Sequence, residues 1–130
     1  MADSIEEVVY TYLTTDSTFM VNFSGVYWQE ADASVSPYIV FWLVDDAGFE
    51  TRLNKAEQGE ARIQFDLWDD NKIRGARLHT ALTTKVRALN ETSGGYTVLT
   101  TGITKQSIQR ESTTDPFHFI VDGIIKWNKE

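Results

Sequence analysis

The chain has 130 residues, a length that suits one domain able to bury a sizeable core. Its hydrophobic fraction of 42% and aromatic fraction of 12% predict a folded globular protein and exclude a disordered one. Cysteine is absent, which excludes disulfides and cysteine chemistry, and the net charge of −7 argues against binding nucleic acid through clustered Lys and Arg.

The N-terminal segment, M-A-D-S-I-E-E, lacks the basic start and apolar run of a secretion signal. No segment approaches the roughly 20 apolar residues needed to span a bilayer, so we expect a protein of the cytosol with no membrane partner. Ser4 or Asp3 is a typical N-cap. With acidic residues in the first turn and apolar residues at helical spacing, it predicts an amphipathic helix over residues 4–14.

The next segments predict a sheet. Residues 26–29 have the β-branched and aromatic content of a strand, and a polar loop over residues 32–37 follows. The apolar run P-Y-I-V-F-W-L-V, residues 37–44, predicts a strand in the middle of the sheet. Residues 45–48 (D-D-A-G) predict a turn, and we expect a flexible loop or hairpin over residues 45–60.

The stretch E-A-R-I-Q-F-D-L-W-D-D-N, residues 60–71, combines strict alternation with three aspartates. Ile63, Phe65 and Leu67 alternate with polar residues, which predicts a strand over 61–68 with one face in the core. From about Asp70 the period becomes helical. A helix to Leu89 is predicted, with an apolar stripe of Leu78, Leu82, Val86 and Leu89 and with Gly75 allowing close approach to the sheet.

Charge is segregated along the chain. Residues 1–70 hold three basic and fourteen acidic residues, whereas residues 71–90 hold five basic residues and none that is acidic. Such segregation suits pairing between copies of the same protein, although a helix with a solvated basic face is an equally simple explanation. A helical wheel places Ile73, Arg77 and Arg87 on the outer face of the second helix, which makes them candidate subunit-interface residues.

The C-terminal part reads as strands only. Residues 96–101, 104–112 and 117–127 are three predicted strands, preceded by a turn cluster at residues 90–95. The fold class predicted is α+β, a single domain with an antiparallel or mixed β-sheet and two α-helices packed on one face.

Catalytic chemistry finds little support in the residues. His79 and His118 lack the surroundings of a nucleophile or a zinc site, and we predict structural roles for both. Asp69 or Asp70 is predicted to cap the second helix. Asp66 is left without a role; as an alternative it could be the base of an isomerase-like or small-molecule-binding pocket lined by Trp28, Trp42 and Trp68, although these aromatics are more simply core residues.

The order of these features resembles the tail terminator, or tail-completion, proteins of long-tailed bacteriophages and prophages. The resemblance rests on the short N-terminal helix, the strand P-Y-I-V-F-W-L-V, the strand A-R-I-Q-F-D-L-W running into a long helix with A-R-L-H-T-A-L, and the closing strand F-H-F-I-V-D-G-I-I-K-W. Residues 45–60 align with nothing in that pattern.

The resemblance implies a structural virion protein of the tail or neck, without enzymatic activity or cofactor, assembled in the host cytoplasm. It implies a homo-oligomeric ring, commonly a hexamer, that caps the tail tube, stops its growth and presents a docking surface to the head connector, with DNA passing through. Its partners would be copies of itself, the tail tube protein and a head-completion protein. Phe49, Arg52 and Lys55 are candidate docking residues, because functional contacts concentrate on loops. Another neck or adaptor protein is the nearest alternative.

Overall fold

The computed structural model describes residues 4–28, 37–50, 57–90, 92–93, 96–109 and 116–129. Within these ranges the chain forms three helices and six strands. In chain order they are α1 (Ile5–Thr14), α2 (Ser17–Met20), β1 (Gly25–Trp28), β2 (Tyr38–Glu50), β3 (Glu57–Asp69), α3 (Lys72–Arg87), β4 (Thr92–Ser93), β5 (Tyr96–Gln109) and β6 (Phe117–Lys129).

All six strands belong to one mixed sheet, in the spatial order β1-β2-β3-β6-β5-β4. β1 runs parallel to β2, and every other neighbouring pair is antiparallel. The helices share one hydrophobic core with one face of the sheet. Across that layer the hydroxyl of Tyr12 in α1 donates a 2.6 Å hydrogen bond to the carbonyl oxygen of Lys85 in α3. The predicted α+β class, with helices packed on one face, is therefore confirmed.

Both long helices begin with a side-chain cap. Ser4 caps α1 by accepting a hydrogen bond from the backbone N–H of Glu7, as predicted; Asp3 lies outside the described residues. The cap of α3 is Asn71, whose side-chain oxygen accepts from the N–H of Arg74 at 3.0 Å. The prediction that Asp69 or Asp70 caps this helix was therefore wrong, because the helix begins at Lys72 and its N-cap position falls on Asn71, while the Asp69 carboxylate accepts hydrogen bonds from the N–H of Asn71 and from Arg74.

The predicted turn at residues 45–48 was also wrong. β2 continues without a turn to Glu50, which pairs with Glu57, and a register shift between Leu43 and Asp45 absorbs one residue. The long backbone ladder with β3 outweighs the local turn preference of D-D-A-G. The hairpin's connecting residues 51–56 lie outside the described residues. β2 is an interior strand, second in the sheet, but the two central strands are β3 and β6.

The predicted break near residues 102–103 is likewise absent. Residues 96–109 form the single strand β5, which follows β6 along its length with register shifts at Val98/Thr100 and Ile103/Lys105. Two β-bulges accommodate the residues that the sequence suggested would turn. Residues 110–112, the end of the second predicted strand, lie outside the described part of the chain.

The alternation predicted for β3 and the stripe predicted for α3 are both present. Ile63, Phe65 and Leu67 are at most 1% exposed, and Leu78, Leu82, Val86 and Leu89 are all buried. Gly75 lies against the sheet so closely that a Cβ atom there would lie 2.4 Å from the ring of Phe119. The glycine therefore sets the distance between α3 and β6.

Candidate functional site: the outer face of helix α3 and the far face of the sheet

The outer face of α3 is a basic surface with an exposed apolar residue. We define this face by six exposed residues: Lys72, Ile73, Arg77, Thr80, Thr84 and Arg87. Ile73 has 69% of its surface exposed, and no acidic residue occurs on the helix. The surface exposure predicted for Ile73, Arg77 and Arg87 is present, and their role at a subunit interface remains a prediction.

The other two basic residues of the helix are already paired within the chain. Arg74 donates two hydrogen bonds to the carboxylate of Asp69, at 2.9 and 2.6 Å. Lys85 donates to Asp16 at 2.7 Å and lies 4.1 Å from the centre of the Tyr12 ring. Among the described residues, Lys72, Arg77 and Arg87 have no such carboxylate partner. The charge available to a partner molecule therefore comes from these three.

The carboxylates of Asp16 and Asp69, which pair with Lys85 and Arg74, both have lowered pKa values. The hydrogen bond from Lys85 is the main cause that holds the pKa of Asp16 below its ordinary value of 3.8. For Asp69, burial raises the pKa, but the hydrogen bonds from Arg74 and from the backbone of Asn71 outweigh burial, and the pKa is lowered from 3.8. Sequence reasoning missed both pairs, because a spacing of five residues and one of 69 carry no helical or strand period.

The far face of the sheet, the side away from the helices, contains Asp66. This carboxylate is 1% exposed, and its Oδ1 accepts hydrogen bonds from His118 Nε2 at 2.6 Å and from Gln64 Nε2 at 2.9 Å. The imidazole of His118 stacks on Trp68, with ring centroids 3.9 Å apart and planes 8° apart. Asp66 Oδ2 is buried without a hydrogen-bond partner.

This cluster answers the question that the sequence left open about Asp66. The register pairs Trp68 with His118. Asp66 lies two residues before Trp68 in β3, on the same face of the sheet, so the pairing of the two strands brings the three side chains together. Two buried aliphatic residues, Val40 and Ile120, pair with Asp66 on either side. The arrangement is a cross-strand cluster that holds β3 and β6 together.

The isomerase-like alternative requires a cavity that opens onto Asp66. A cavity of about 90 Å³ lies on the far face, but its lining is Val44, Arg62, Ile63, Gln64, Asp122 and Gly123, without Asp66. The three tryptophans also do not share one pocket wall. Trp28 packs against the helix side and donates to Glu6 at 2.9 Å, whereas Trp42 and Trp68 lie on the far face. The expectation that all three belong to the core was wrong for Trp42 and Trp68, because strand alternation turns them away from the helices.

His79 and the candidate docking residues Phe49, Arg52 and Lys55 are the remaining residues that the sequence singled out. His79 Nε2 lies 3.0 Å from the carbonyl oxygen of Ile120, to which it donates, and its ring lies 5.4 Å from that of Phe119. Phe49 is in β2, paired with Gln58, whereas Arg52 and Lys55 lie outside the described residues.

In the described ranges, no group of three or more acidic or histidine side chains could hold a metal ion. None of the described helices combines the length and apolarity needed to cross a membrane.

Comparisons with known proteins show a similar fold in a solved structure but no match by sequence. No protein-family model matches the chain. No curated protein matches it. Among solved structures, the fold is similar to that of a chain in the virion of the native gene transfer agent particle, with a TM-score of 0.72 over 96% of this chain and 95% of that one. The two sequences are only 10% identical, so the similarity defines a shared fold along almost the whole length of both chains.

Proposed function

We propose that the protein is a structural component of a phage-like virion, and within that class a tail terminator. The observation that carries the proposal is the fold shared with a virion chain of a gene transfer agent over 96% of this chain. The match leaves no large part of either chain unaccounted for, as expected if both are the same kind of building block. The order of helices and strands in the sequence supports the narrower assignment.

The outer face of α3 supports assembly into a ring. A subunit that joins identical neighbours head to tail needs two different complementary surfaces. Arg77 and Arg87 supply positive charge without a carboxylate partner in the described part of the chain, in a protein whose net charge is −7. Ile73, 69% exposed on the same helix, adds apolar area to that surface. An acidic surface elsewhere on the next copy is the complement that we propose.

The negative charge also suits a channel for DNA. A ring through which a duplex passes must not hold the phosphates, and phosphate binding requires clustered Lys and Arg. The excess of acidic residues would repel the duplex from the wall, while the basic residues of α3 are engaged between subunits. The protein would then have no sequence-specific interaction with nucleic acid, and a structural role in the virion would require no enzymatic activity.

The proposal is tested by assembly. The purified protein is examined by light scattering and electron microscopy, alone and with a phage tail tube protein, at low and high salt. We expect a closed ring and tubes that carry the protein at one end and stop growing. A protein that stays monomeric under all these conditions contradicts the proposal. Co-purification with the portal complex instead of the tube would assign the protein to another position in the neck.

A further inference from the structure

The two ends of the sheet are strand edges that are largely unpaired. On one side, β1 covers only residues 38–41 of β2, so residues 42–50 have no strand beyond them in the described chain. On the other side, β4 covers only Tyr96 and Thr97 of β5, and within the described ranges no strand lies beyond residues 98–109. Unpaired strand edges present free N–H and C=O groups that can pair with another chain.

The two edges match each other in direction. β2, β3, β6 and β5 alternate in direction, since each pair of neighbours is antiparallel. If a second copy lies beside the first in the same orientation, its β2 runs antiparallel to the first copy's β5. A head-to-tail contact therefore continues the alternation of the sheet, and antiparallel pairing is slightly more stable per residue than parallel pairing.

The edges also match in position along the sheet. Asp45 pairs with Arg62, Arg62 with Ile124, and Ile124 with Gly102, so these four residues form one row across the sheet. In the next row, Leu43 connects in the same way to Ile103. Residues 42–48 of β2 therefore lie at the same level as residues 98–105 of β5, on opposite sides of the sheet.

Charge distinguishes the two edges. The segment W-L-V-D-D-A-G-F-E, residues 42–50, contains three acidic residues and no basic one. β5, Y-T-V-L-T-T-G-I-T-K-Q-S-I-Q, contains one lysine and no acidic residue. α3 packs beside β5, where Thr101 Oγ1 donates to the carbonyl oxygen of Leu89 and Gln106 Nε2 donates to Thr83. β5 is thus joined by hydrogen bonds to the basic helix, and the β2 segment is acidic in its sequence.

We propose that a second copy of this chain docks its β2 edge, residues 42–48, onto the β5 edge, residues 98–105, so that the sheet continues from one subunit to the next. This inference rests on the proposed ring function and specifies the contact that would build the ring. The acidic β2 segment of the neighbour would lie alongside β5, which contains no acidic residue and forms hydrogen bonds with the basic helix α3, so the contact would bring together segments of different charge.

Two positions on these edges allow a direct test. Val44 is 53% exposed at the register shift of β2, at the level between Gly102 and Ile103. Gly102 is exposed on β5, and a Cβ atom added there would meet nothing within 4 Å. Val44 lines the cavity on the far face, and Gly102 pairs with Ile124 on that same face. Cysteines at these two positions would therefore approach each other only between copies.

The experiment is oxidative cross-linking of the double variant Val44→Cys/Gly102→Cys in the full chain, which has no cysteine of its own. After mild oxidation of the assembled protein, we expect a ladder of covalent oligomers on a non-reducing gel, and its collapse to monomer on reduction. The matched control is Val21→Cys/Gly102→Cys, because Val21 is 79% exposed but lies between α2 and β1. That control should give no ladder.

The outcomes separate this inference from the proposed function. Oligomers detected by light scattering without a ladder from the Val44/Gly102 pair would overturn the edge contact and leave ring assembly intact. Equal ladders from both double variants would show collision of exposed thiols and would also overturn it. A protein that stays monomeric in every variant and in the wild type would contradict the ring and the edge contact together.

Discussion

Two carboxylates, Asp16 and Asp69, couple the stability of the fold to pH. Both have a pKa below 3.8 in the folded protein because they accept hydrogen bonds from Lys85 and Arg74 respectively. A carboxylate with a depressed folded-state pKa contributes stability that is fully present above its unfolded pKa. That contribution is lost as the pH falls through the folded pKa.

We therefore expect the free energy of unfolding to decline as the pH drops below about 4, the ordinary range of a carboxylate. Asp69→Asn should make this decline shallower. At neutral pH it should cost about 1–3 kcal/mol, because it removes charged hydrogen bonds from a fully buried group. Urea unfolding between pH 2 and 7 measures both effects. Glu60→Gln, at a half-exposed carboxylate, is the control and should leave the curve close to wild type.

Asp66 and His118 depend on each other. A buried carboxylate that loses a donor keeps the cost of leaving water, whereas replacing both partners with apolar groups of similar shape removes that cost. We expect His118→Phe, which preserves an aromatic ring against Trp68, to destabilise the protein by about 1–3 kcal/mol. The double variant Asp66→Leu/His118→Phe should recover much of this loss. Additive losses in the double-mutant cycle would contradict the coupling.

At the scale of elements, the spacing of apolar residues in the sequence predicted most of the helices and strands. The α3 stripe and the β3 alternation were predicted residue by residue, because a face buried in the core imposes a period on the sequence. Three errors concerned the boundaries of elements: the turn predicted at residues 45–48, the break predicted in β5 and the cap predicted at Asp69 or Asp70. Each depends on which backbone lies alongside, and that partner is distant in sequence.

The contact between α3 and β6 gives an element-scale prediction. Gly75→Ala should destabilise the protein, because the new methyl group would lie 2.4 Å from the buried ring of Phe119. Overpacking costs about 1–3 kcal/mol, which offsets or exceeds the roughly 1 kcal/mol that Ala gains over Gly in a helix. Ala76→Gly, at the adjacent exposed position, isolates the propensity term. If Gly75→Ala stabilised the protein by as much as Ala76→Gly weakened it, the packing argument would be wrong.

At the scale of the whole molecule, the outer face of α3 is predicted to act between subunits. Arg77→Glu/Arg87→Glu should weaken oligomer formation at least tenfold without unfolding the domain, because both side chains are exposed and neither has a carboxylate partner in the described structure. Light scattering measures assembly, and thermal unfolding measures stability. The control Arg77→Lys/Arg87→Lys keeps the positive charge at the same two exposed positions and should assemble normally. Unchanged assembly of the Arg77→Glu/Arg87→Glu variant would rule out this face.

The assembly proposals differ in how much the sequence foresaw. The basic segment and its outward residues Ile73, Arg77 and Arg87 were identified from a helical wheel alone. The helical wheel could not show that Arg74 and Lys85 form ion pairs with Asp69 and Asp16, because both pairs depend on how α3 is placed in the folded chain. The edges of β2 and β5 that are unpaired in the described ranges also could not be predicted, since they depend on strand order and on how short β1 and β4 are.

Local chemistry and hydrophobic period were sufficient for the α+β class, for the identity of the long helices and for the buried faces of β3 and α3, because each of these is encoded within a short stretch. They were not sufficient to predict contacts between residues that are distant in the sequence. The Asp66–His118–Trp68 cluster arises from strand register, and a register shift of a single residue would turn these side chains to the other face of the sheet. The pairing of Lys85 with Asp16 depends on how α3 packs against the N-terminal helices, and the strand edges left unpaired in the described ranges depend on strand order, so only the folded structure could decide them.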